Sequence, residues 1–338
     1  MNQHRFQEIT ARYRQLRLAV VGDFCLDRYL EIDPRRAETS IETGLPVHNV
    51  VHVRAQPGAA GTILNNLVAL GIGELYPVGF CGFDGEGYEL RRALEMLRGV
   101  RLDHFVQTKE RRTFTYCKPL IVSAGKPPVE LNRLDSKNWT PASRALQEQL
   151  AQSVRRLARK VDAFIALDQV DAPGTGVVTK LILQTLRAIN RANPALPIVA
   201  DSRQGLRHFP PLIFKMNAVE LAASQKSKRH LSLTQMKTVA AGIAQKNRQP
   251  VFVTLDERGI LAASPDGQVE HVPTLPVRGP IDIVGAGDSV TANLATALAA
   301  GANLREAIEL ANAAASVVIH QLGTTGTASV RQIRDALS

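Results

Sequence analysis

The chain has 338 residues, 45% hydrophobic and 21% charged, the balance of a soluble globular protein with room for one large α/β domain or two smaller ones. Three widely spaced cysteines, Cys25, Cys81 and Cys117, make neither a disulfide framework nor a metal site, and a reducing cytoplasm is the expected compartment. The apolar runs fall short of a membrane span, the first residues lack a signal-peptide core, and no membrane association is expected.

A net charge of +10 invites a polyanionic partner. The basic clusters Arg155-Arg156, Arg159-Lys160 and Lys226-Ser227-Lys228-Arg229 carry no interleaved aromatics, however. They read as solvated surface, and no nucleic-acid module is recognised.

In chain order, Leu18-Ala19-Val20-Val21 is a continuous apolar run closed by Gly22-Asp23, the pattern of a buried parallel strand, with Asp27 four residues after Asp23. From about residue 29 to 53 helical periodicity is lost, and Val47, Val51 and Val53 predict short strands apart from the main body. Pro57-Gly58-Ala59-Ala60-Gly61-Thr62 reads as a turn of small residues opening a helix through Leu64, Leu67, Val68 and Leu70. Its small side chains would let either a ligand or a sheet come close. Residues 75–78 predict a short strand, 79–85 a loop and 86–97 a helix. The stretch 105–133 is strand-like again, most clearly at Thr113-Phe114-Thr115-Tyr116, and is expected to pair with 29–53 as a small sheet.

The second half alternates regularly. Helices are predicted over 141–159, 176–192 and 233–246. Between and after them lie strands over 163–167, 197–200, 214–216 and 251–253, ending in Asp168, Asp201, Asn217 and Thr254, with Glu220 just beyond the third. Ligands of open parallel sheets bind outside the carboxyl ends of the strands, so these four residues describe one rim. Each alone would also serve as a helix cap or turn residue.

Asp282-Ile283-Val284-Gly285-Ala286-Gly287-Asp288 comes next, followed by a helix to Ala300 and another over about 304–320. A turn of small residues at a helix start offers N–H groups of Gly285, Ala286 and Gly287 to an anion. Asp288 sits at the same helix start, where the dipole favours its ionised form. A carboxylate beside an anion-binding turn suits a base that takes a proton while negative charge develops next to it, as in phosphoryl transfer to a hydroxyl. A simple helix cap is the alternative role for Asp288.

These segments together resemble the PfkB/ribokinase family of carbohydrate kinases nearly end to end. Residues 282–288 fit the C-terminal signature of that family, and Pro57-Gly58-Ala59-Ala60-Gly61 fits its N-terminal glycine-rich one. Asn217-Ala218-Val219-Glu220 is similar to its N-x-x-E motif, and Gly22-Asp23 with Asp27 to its opening strand and sugar-binding Asp. A closer likeness is to the heptose-7-phosphate kinase half of a bifunctional heptose enzyme. It is carried by Val20-Val21-Gly22-Asp23-Phe24-Cys25-Leu26-Asp27-Arg28-Tyr29, Arg133-Leu134-Asp135 and Ala311-Asn312-Ala313-Ala314-Ala315-Ser316. Two departures stand out: Thr62 where the family usually has a sugar-binding Asn, and Val284 where Thr is common. The length suits the kinase half without the nucleotidyltransferase that follows it, or a relative turned to another sugar.

The resemblance implies a ribokinase-like three-layer α/β fold over residues 1–338, with a central mostly parallel sheet and helices on both faces. A small β lid from about 29–56 and 105–134 is expected, and through it a homodimer. The implied reaction is ATP-dependent phosphorylation of a sugar or sugar phosphate, with D-glycero-D-manno-heptose 7-phosphate at O1 as first choice and Asp288 as general base. The sugar would be held by Asp27, Gly58, Ala59, Thr62, Arg133 and Asp168, with Arg203 near the same cleft. The nucleotide would lie along Asn217, Thr254, Gly259 and Asn312. Glu220 would orient waters on Mg²⁺, and Asp282 is the implied ligand of a monovalent cation, K⁺. Three rivals remain: a kinase of unphosphorylated sugars or nucleosides, a sugar-sensing relative without turnover, and a nucleic-acid-binding protein suggested only by charge.

Overall fold

A computed structural model describes residues 1–225 and 231–337; the basic cluster at 226–229 lies outside the described residues. The chain begins with α1 (Gln3–Ala11), β1 (Arg17–Gly22), β2 (Phe24–Ile32), the two-residue strands β3 (Glu38–Thr39) and β4 (Pro46–Val47), β5 (Val50–Ala59) and α2 (Ala60–Ala69). It continues through β6 (Glu74–Gly82), α3 (Gly85–Glu95), β7 (Phe105–Thr108), β8 (Phe114–Ile121), β9 (Val129–Glu130) and β10 (Leu134–Ser136). Then follow α4 (Arg144–Leu157), β11 (Ala163–Asp168), α5 (Lys180–Ala192), β12 (Ile198–Ser202), β13 (Ile213–Asn217), α6 (Ala218–Ser224) and α7 (Leu233–Asn247). The last elements are β14 (Val251–Thr254), β15 (Ile260–Ala263), β16 (Val269–Val272), α8 (Ala286–Ala299), α9 (Leu304–Ile319) and α10 (Val330–Leu337).

Among the described residues nine strands form one sheet in the order β16-β15-β14-β13-β12-β11-β1-β6-β7. It is parallel from β14 to β7 and antiparallel at β15 and β16. Strand alternation divides its side chains between two cores. Leu18 and Val20 pack with Leu64, Leu294 and Leu310 of α2, α8 and α9. Ala19 and Val21 pack with Leu150, Ile182 and Ala240 of α4, α5 and α7. Covered on both faces, β1 is apolar from Leu18 to Val21, as its sequence predicts. Helix starts are specified locally: Ser143 accepts the Leu146 N–H ahead of α4, and Ser232/Gln235 and Asn303/Glu306 form capping boxes on α7 and α9.

A second sheet, in the order β10-β8-β2-β5 with β9 beside β8, draws on the two stretches expected to pair, except that residues 105–108, expected in it, form β7 at the edge of the main sheet. β2 runs parallel to β8 and antiparallel to β5. It begins at Phe24, five residues before the loss of helical periodicity at Tyr29, because the chain changes sheets directly after β1. Asp23 is the crossing point. Its Oδ1 accepts the Val177 N–H at 2.7 Å, its Oδ2 accepts the Gln169 N–H at 2.9 Å, and its own carbonyl accepts the Ala60 N–H at 3.0 Å.

Several boundaries differ from the sequence expectation. Residues 79–82, expected in a loop, extend β6 and pair with β7 from Gly79–Phe105 to Gly82–Thr108. The glycine there accommodates a neighbour: a side chain on Gly79 would start 2.6 Å from the Phe24 ring. Pro57-Gly58-Ala59, expected as a turn, is the end of β5, and the whole reversal falls on Ala59. α4 and α5 start at residues 144 and 180, three and four residues late: Ser143 caps α4, and the Asp23 carboxylate holds the backbone at residue 177 just ahead of α5. β15 and β16 are four residues each, too short for periodicity to announce.

Removing the Asp23 carboxylate leaves two backbone donors without their acceptor. Asp23→Ala is therefore expected to lower stability by about 2–4 kcal/mol in urea unfolding, and to open residues 169–177 to proteolysis before the rest of the chain.

Candidate active site

The start of α8 is built on Gly285, whose φ of 83° lies in the left-handed region that favours glycine. Asp282 braces the turn, accepting the Val284 N–H at 3.0 Å and the Gly323 N–H at 3.2 Å while its own N–H donates to the Ile319 carbonyl at 2.8 Å. The loop that supplies Gly323 also supplies Thr325, which accepts from Gln56 Nε2 at 2.5 Å and lies 3.3 Å from where a Gly285 side chain would begin. Ala286 donates its N–H to the Ile283 carbonyl at 3.2 Å. The N–H groups of Gly285, Gly287 and Asp288 meet no acceptor among the described residues, so of the three donors expected from the sequence only Ala286 is engaged within the turn.

Asp288 occupies the third position of α8 and keeps some exposure to solvent. Its carboxyl is pushed up to about 7, chiefly by burial, then by the negative charge of Asp201; Lys215 opposes the rise and Asp27 adds to it. Burial thus works against the ionised form that the helix start favours. Behind it lies a buried network. Lys215 Nζ is 2.8 Å from Asp201 Oδ2, and Thr291 Oγ1 donates to the same oxygen at 2.9 Å.

On the opposite wall Asp27 is buried and stands 3.6 Å from Lys118 Nζ. Burial raises the Asp27 carboxyl, and Lys118 opposes that. Gly58 passes close by: a side chain there would start 2.5 Å from Asp27 Oδ2 and 2.7 Å from Cys25 Sγ. Ala59 opens α2 at φ 53°, a strained conformation for a non-glycine residue, and Thr62 is buried in the first turn. Asp168 accepts from Ser202 Oγ at 2.9 Å, and its carboxyl too is pushed to about 7, by burial and then by the charge of Asp23. Arg133 is exposed, 3.1 Å from Asp135, with its guanidinium 4.9 Å from the centre of the Tyr116 ring. It is near enough to Asp27 to favour that carboxylate. Arg203 lies 3.9 Å from Asp171, which also holds Lys137 at 2.7 Å.

The residues expected to bind nucleotide form two groups. Asn217 and Thr254 are cross-strand partners at the ends of β13 and β14. Asn217 and Glu220 close a reciprocal capping box on α6, at 2.9 and 2.8 Å, and burial raises the Glu220 carboxyl. Gly259 and Asn312 both meet Pro273. A Gly259 side chain would strike the Val272 carbonyl and the Pro273 backbone, and Asn312 Nδ2 donates to the Pro273 carbonyl at 2.8 Å. Among the described residues no group of three or more His, Cys, Asp and Glu could hold a metal ion.

Lys118, Lys215 and Thr291 were not singled out in the sequence. A lysine inside the apolar run Phe214-Lys215-Met216 was the available signal, because a charge in a buried strand needs a partner.

A model of the pfkB family carbohydrate kinases matches residues 16–331. The chain belongs to this family. It is a sugar kinase, a phosphotransferase. Among curated relatives, the "Bifunctional protein HldE" of Hyphomonas neptunium is 32% identical over 330 residues, 95% of this chain. That of Rhodospirillum rubrum is 31% identical over 319 residues, 94% of the chain. The kinase spans only 63% and 61% of those relatives' lengths. Among solved structures, the ribokinase of Arabidopsis thaliana complexed with ribose and ATP superposes with a TM-score of 0.69 at 20% identity, covering 96% of this chain and 99% of its own. Phosphofructokinase-2 of Escherichia coli in complex with potassium gives 0.70 at 18% identity, covering 95% and 98%. The ribokinase-like α/β fold expected from the sequence is thus the observed one.

Because the Gly58 backbone leaves no room for a methyl group beside Asp27, Gly58→Ala is expected to displace that carboxylate. Steady-state assays should show the acceptor KM raised roughly tenfold or more, the cost of about 1.4 kcal/mol of lost binding, with the nucleotide KM nearly unchanged.

Proposed function

We propose that this pfkB kinase transfers the γ-phosphoryl group of ATP to a hydroxyl of a phosphorylated sugar, with D-glycero-D-manno-heptose 7-phosphate, at O1, as first candidate. The observation that carries the reading is the placement of Asp288 in the first turn of α8, beside the unengaged N–H groups of Gly287 and its own backbone. The acceptor hydroxyl gives its proton to the Asp288 carboxylate as its oxygen bonds to phosphorus, the bond from phosphorus to the bridging oxygen breaks, and ADP leaves. The N–H groups at the helix start stabilise the charge on the moving phosphoryl group.

Asp27, Gly58, Ala59, Thr62 and Asp168 would hold the sugar, while Arg133 and Arg203 would take its resident phosphate. Asn217, Thr254, Gly259 and Asn312 mark the nucleotide side. Mg²⁺, bound to the nucleotide phosphates with Glu220 orienting its waters, would supply charge neutralisation there. Asp282 keeps lone pairs beyond its two backbone hydrogen bonds, which fits K⁺ as a neighbour of the turn. The heptose assignment is supported by the motifs at residues 20–29, 133–135 and 311–316 and by the HldE relatives. A homodimer through the second sheet is supported by exposed Ile41, Leu45, Val51 and Val53 on and beside β5.

Asp288→Asn keeps the shape but cannot accept the proton, so kcat should fall by about 10²–10⁴-fold while sugar and nucleotide still bind. A kcat near that of the wild type would leave Asp288 as a helix cap. Since the base works ionised and its carboxyl is raised to about 7, wild-type kcat should fall about tenfold per pH unit below that value and level off above it. Stability should move the opposite way. A carboxyl whose folded pKa is raised withdraws stability as pH climbs from the ordinary carboxylate range through 7, so Asp288→Asn should melt higher than the wild type above pH 7.

Arg133→Ala should raise the KM for the sugar phosphate roughly tenfold, about 1.4 kcal/mol of lost binding, and leave that for ATP nearly unaltered. Wild-type turnover of the unphosphorylated sugar as fast as the phosphorylated one would overturn the substrate class.

A further inference from the structure

Three side chains behind the α8 turn take no part in the mechanism above. Lys215 is only 6% exposed and projects from β13 between Phe214 and Met216, both core residues. Its Nζ lies 2.8 Å from Asp201 Oδ2 on β12. Thr291, one turn into α8, donates to that same oxygen at 2.9 Å and to the Gly287 carbonyl at 3.1 Å. A buried ion pair brings little stability over an apolar pair of the same volume, so stability alone does not account for it.

Its position does. Lys215 Nζ lies 3.2 Å from the point where a Gly287 side chain would begin, so the ammonium sits directly under the turn that carries Asp288. A charge fixed there, in a water-poor interior, acts on the base at close range. The hydrogen bond that Thr291 donates to Asp201 ties the same pair mechanically to α8, one turn after Gly287.

We propose that Lys215 and Asp201 are a positioning pair for the catalytic base: together they set the charge state of Asp288, and through Thr291 they hold the α8 turn against the sheet. The proposal deepens, and rests on, the reading of Asp288 as the base. The groups facing Asp288 are Asp201 from β12, Lys215 from β13, and Asp27 and Cys25 from β2. Burial keeps the Cys25 thiol neutral, and Asp27 has its own cation in Lys118. Asp201 and Lys215 therefore remain as the two opposed controls, one favouring the protonated carboxyl and the other the carboxylate.

The test is the pH profile of kcat with saturating ATP and sugar phosphate, run on the full chain. Lys215→Met should move the acid limb upward and Asp201→Asn should move it downward, each by about one pH unit or more. Lys215→Arg keeps the charge and should leave the limb where the wild type has it, even if kcat drops. Thermal melts report which variants fold; if Lys215→Met does not, Asp201→Asn and Lys215→Arg still decide. Unmoved limbs, shifts of both variants in one direction, or an Arg variant that shifts as far as the Met variant would overturn the pair. The Asp288→Asn variant, measured alongside, separates the two failures. If it is inactive while the limbs do not move, the pair alone is refuted; if it is fully active, the base reading falls and the pair with it.

Discussion

The two sheets of this kinase meet at one buried carboxylate. Asp23 follows the last residue of β1 and precedes the first of β2, so its backbone is where the chain passes from one sheet to the other. An unpaired charge at that depth would cost several kcal/mol. Asp23 instead accepts N–H groups from residues 169 and 177, and its carbonyl receives Ala60 at the start of α2. The consequence is geometric. Asp27 lies four residues downstream on β2, Asp168 one residue before an engaged donor, and Ala59 one residue before another. Residues from three distant parts of the chain thereby acquire fixed separations from a single residue.

Electrostatics divides the acids of the cleft into two kinds. Lys118 stands beside Asp27 and Lys215 beside Asp201, each at ion-pair distance. Asp168 and Asp288 form no ion pair among the described residues, and their carboxyls are the two pushed to about 7. Burial is the first cause in both, and the charge of a neighbouring carboxylate the second. An acid of the second kind can take up a proton near neutral pH, which is what the proposed role of Asp288 requires. The lysines thus sort four chemically equal side chains into two electrostatic classes.

Much of this was legible in the sequence because backbone demands leave strong marks. The small residues at 285–287, the continuous apolar run of β1 and the polar ends of β11, β13 and β14 each follow from local stereochemistry. What escaped depended on pairing across strands. Lys118 and Lys215 look like surface residues until β2 is laid beside β8 and β12 beside β13. The loop expected at 79–85 failed for the converse reason: its glycines serve a neighbouring ring and a parallel partner strand, neither of which is local. Asn217 and Glu220 show a different limit. The N-x-x-E spacing also makes a capping box, and the structure realises that box, so the motif is satisfied structurally whether or not a ligand is near.

The value near 7 at Asp288 is itself a compromise that sequence could not disclose. A carboxylate of ordinary pKa is ionised at neutral pH but draws weakly on a sugar hydroxyl; one raised much further would be protonated and idle. Burial beneath the second sheet and the charge of Asp201 drive the carboxyl upward, whereas Lys215 restrains it. The same burial removes the water that would otherwise screen the N–H groups of the turn, so base strength and anion stabilisation rise together. Both effects come from packing α8 against β12 and β13, which makes the ion pair between those strands part of the chemistry as well as of the core.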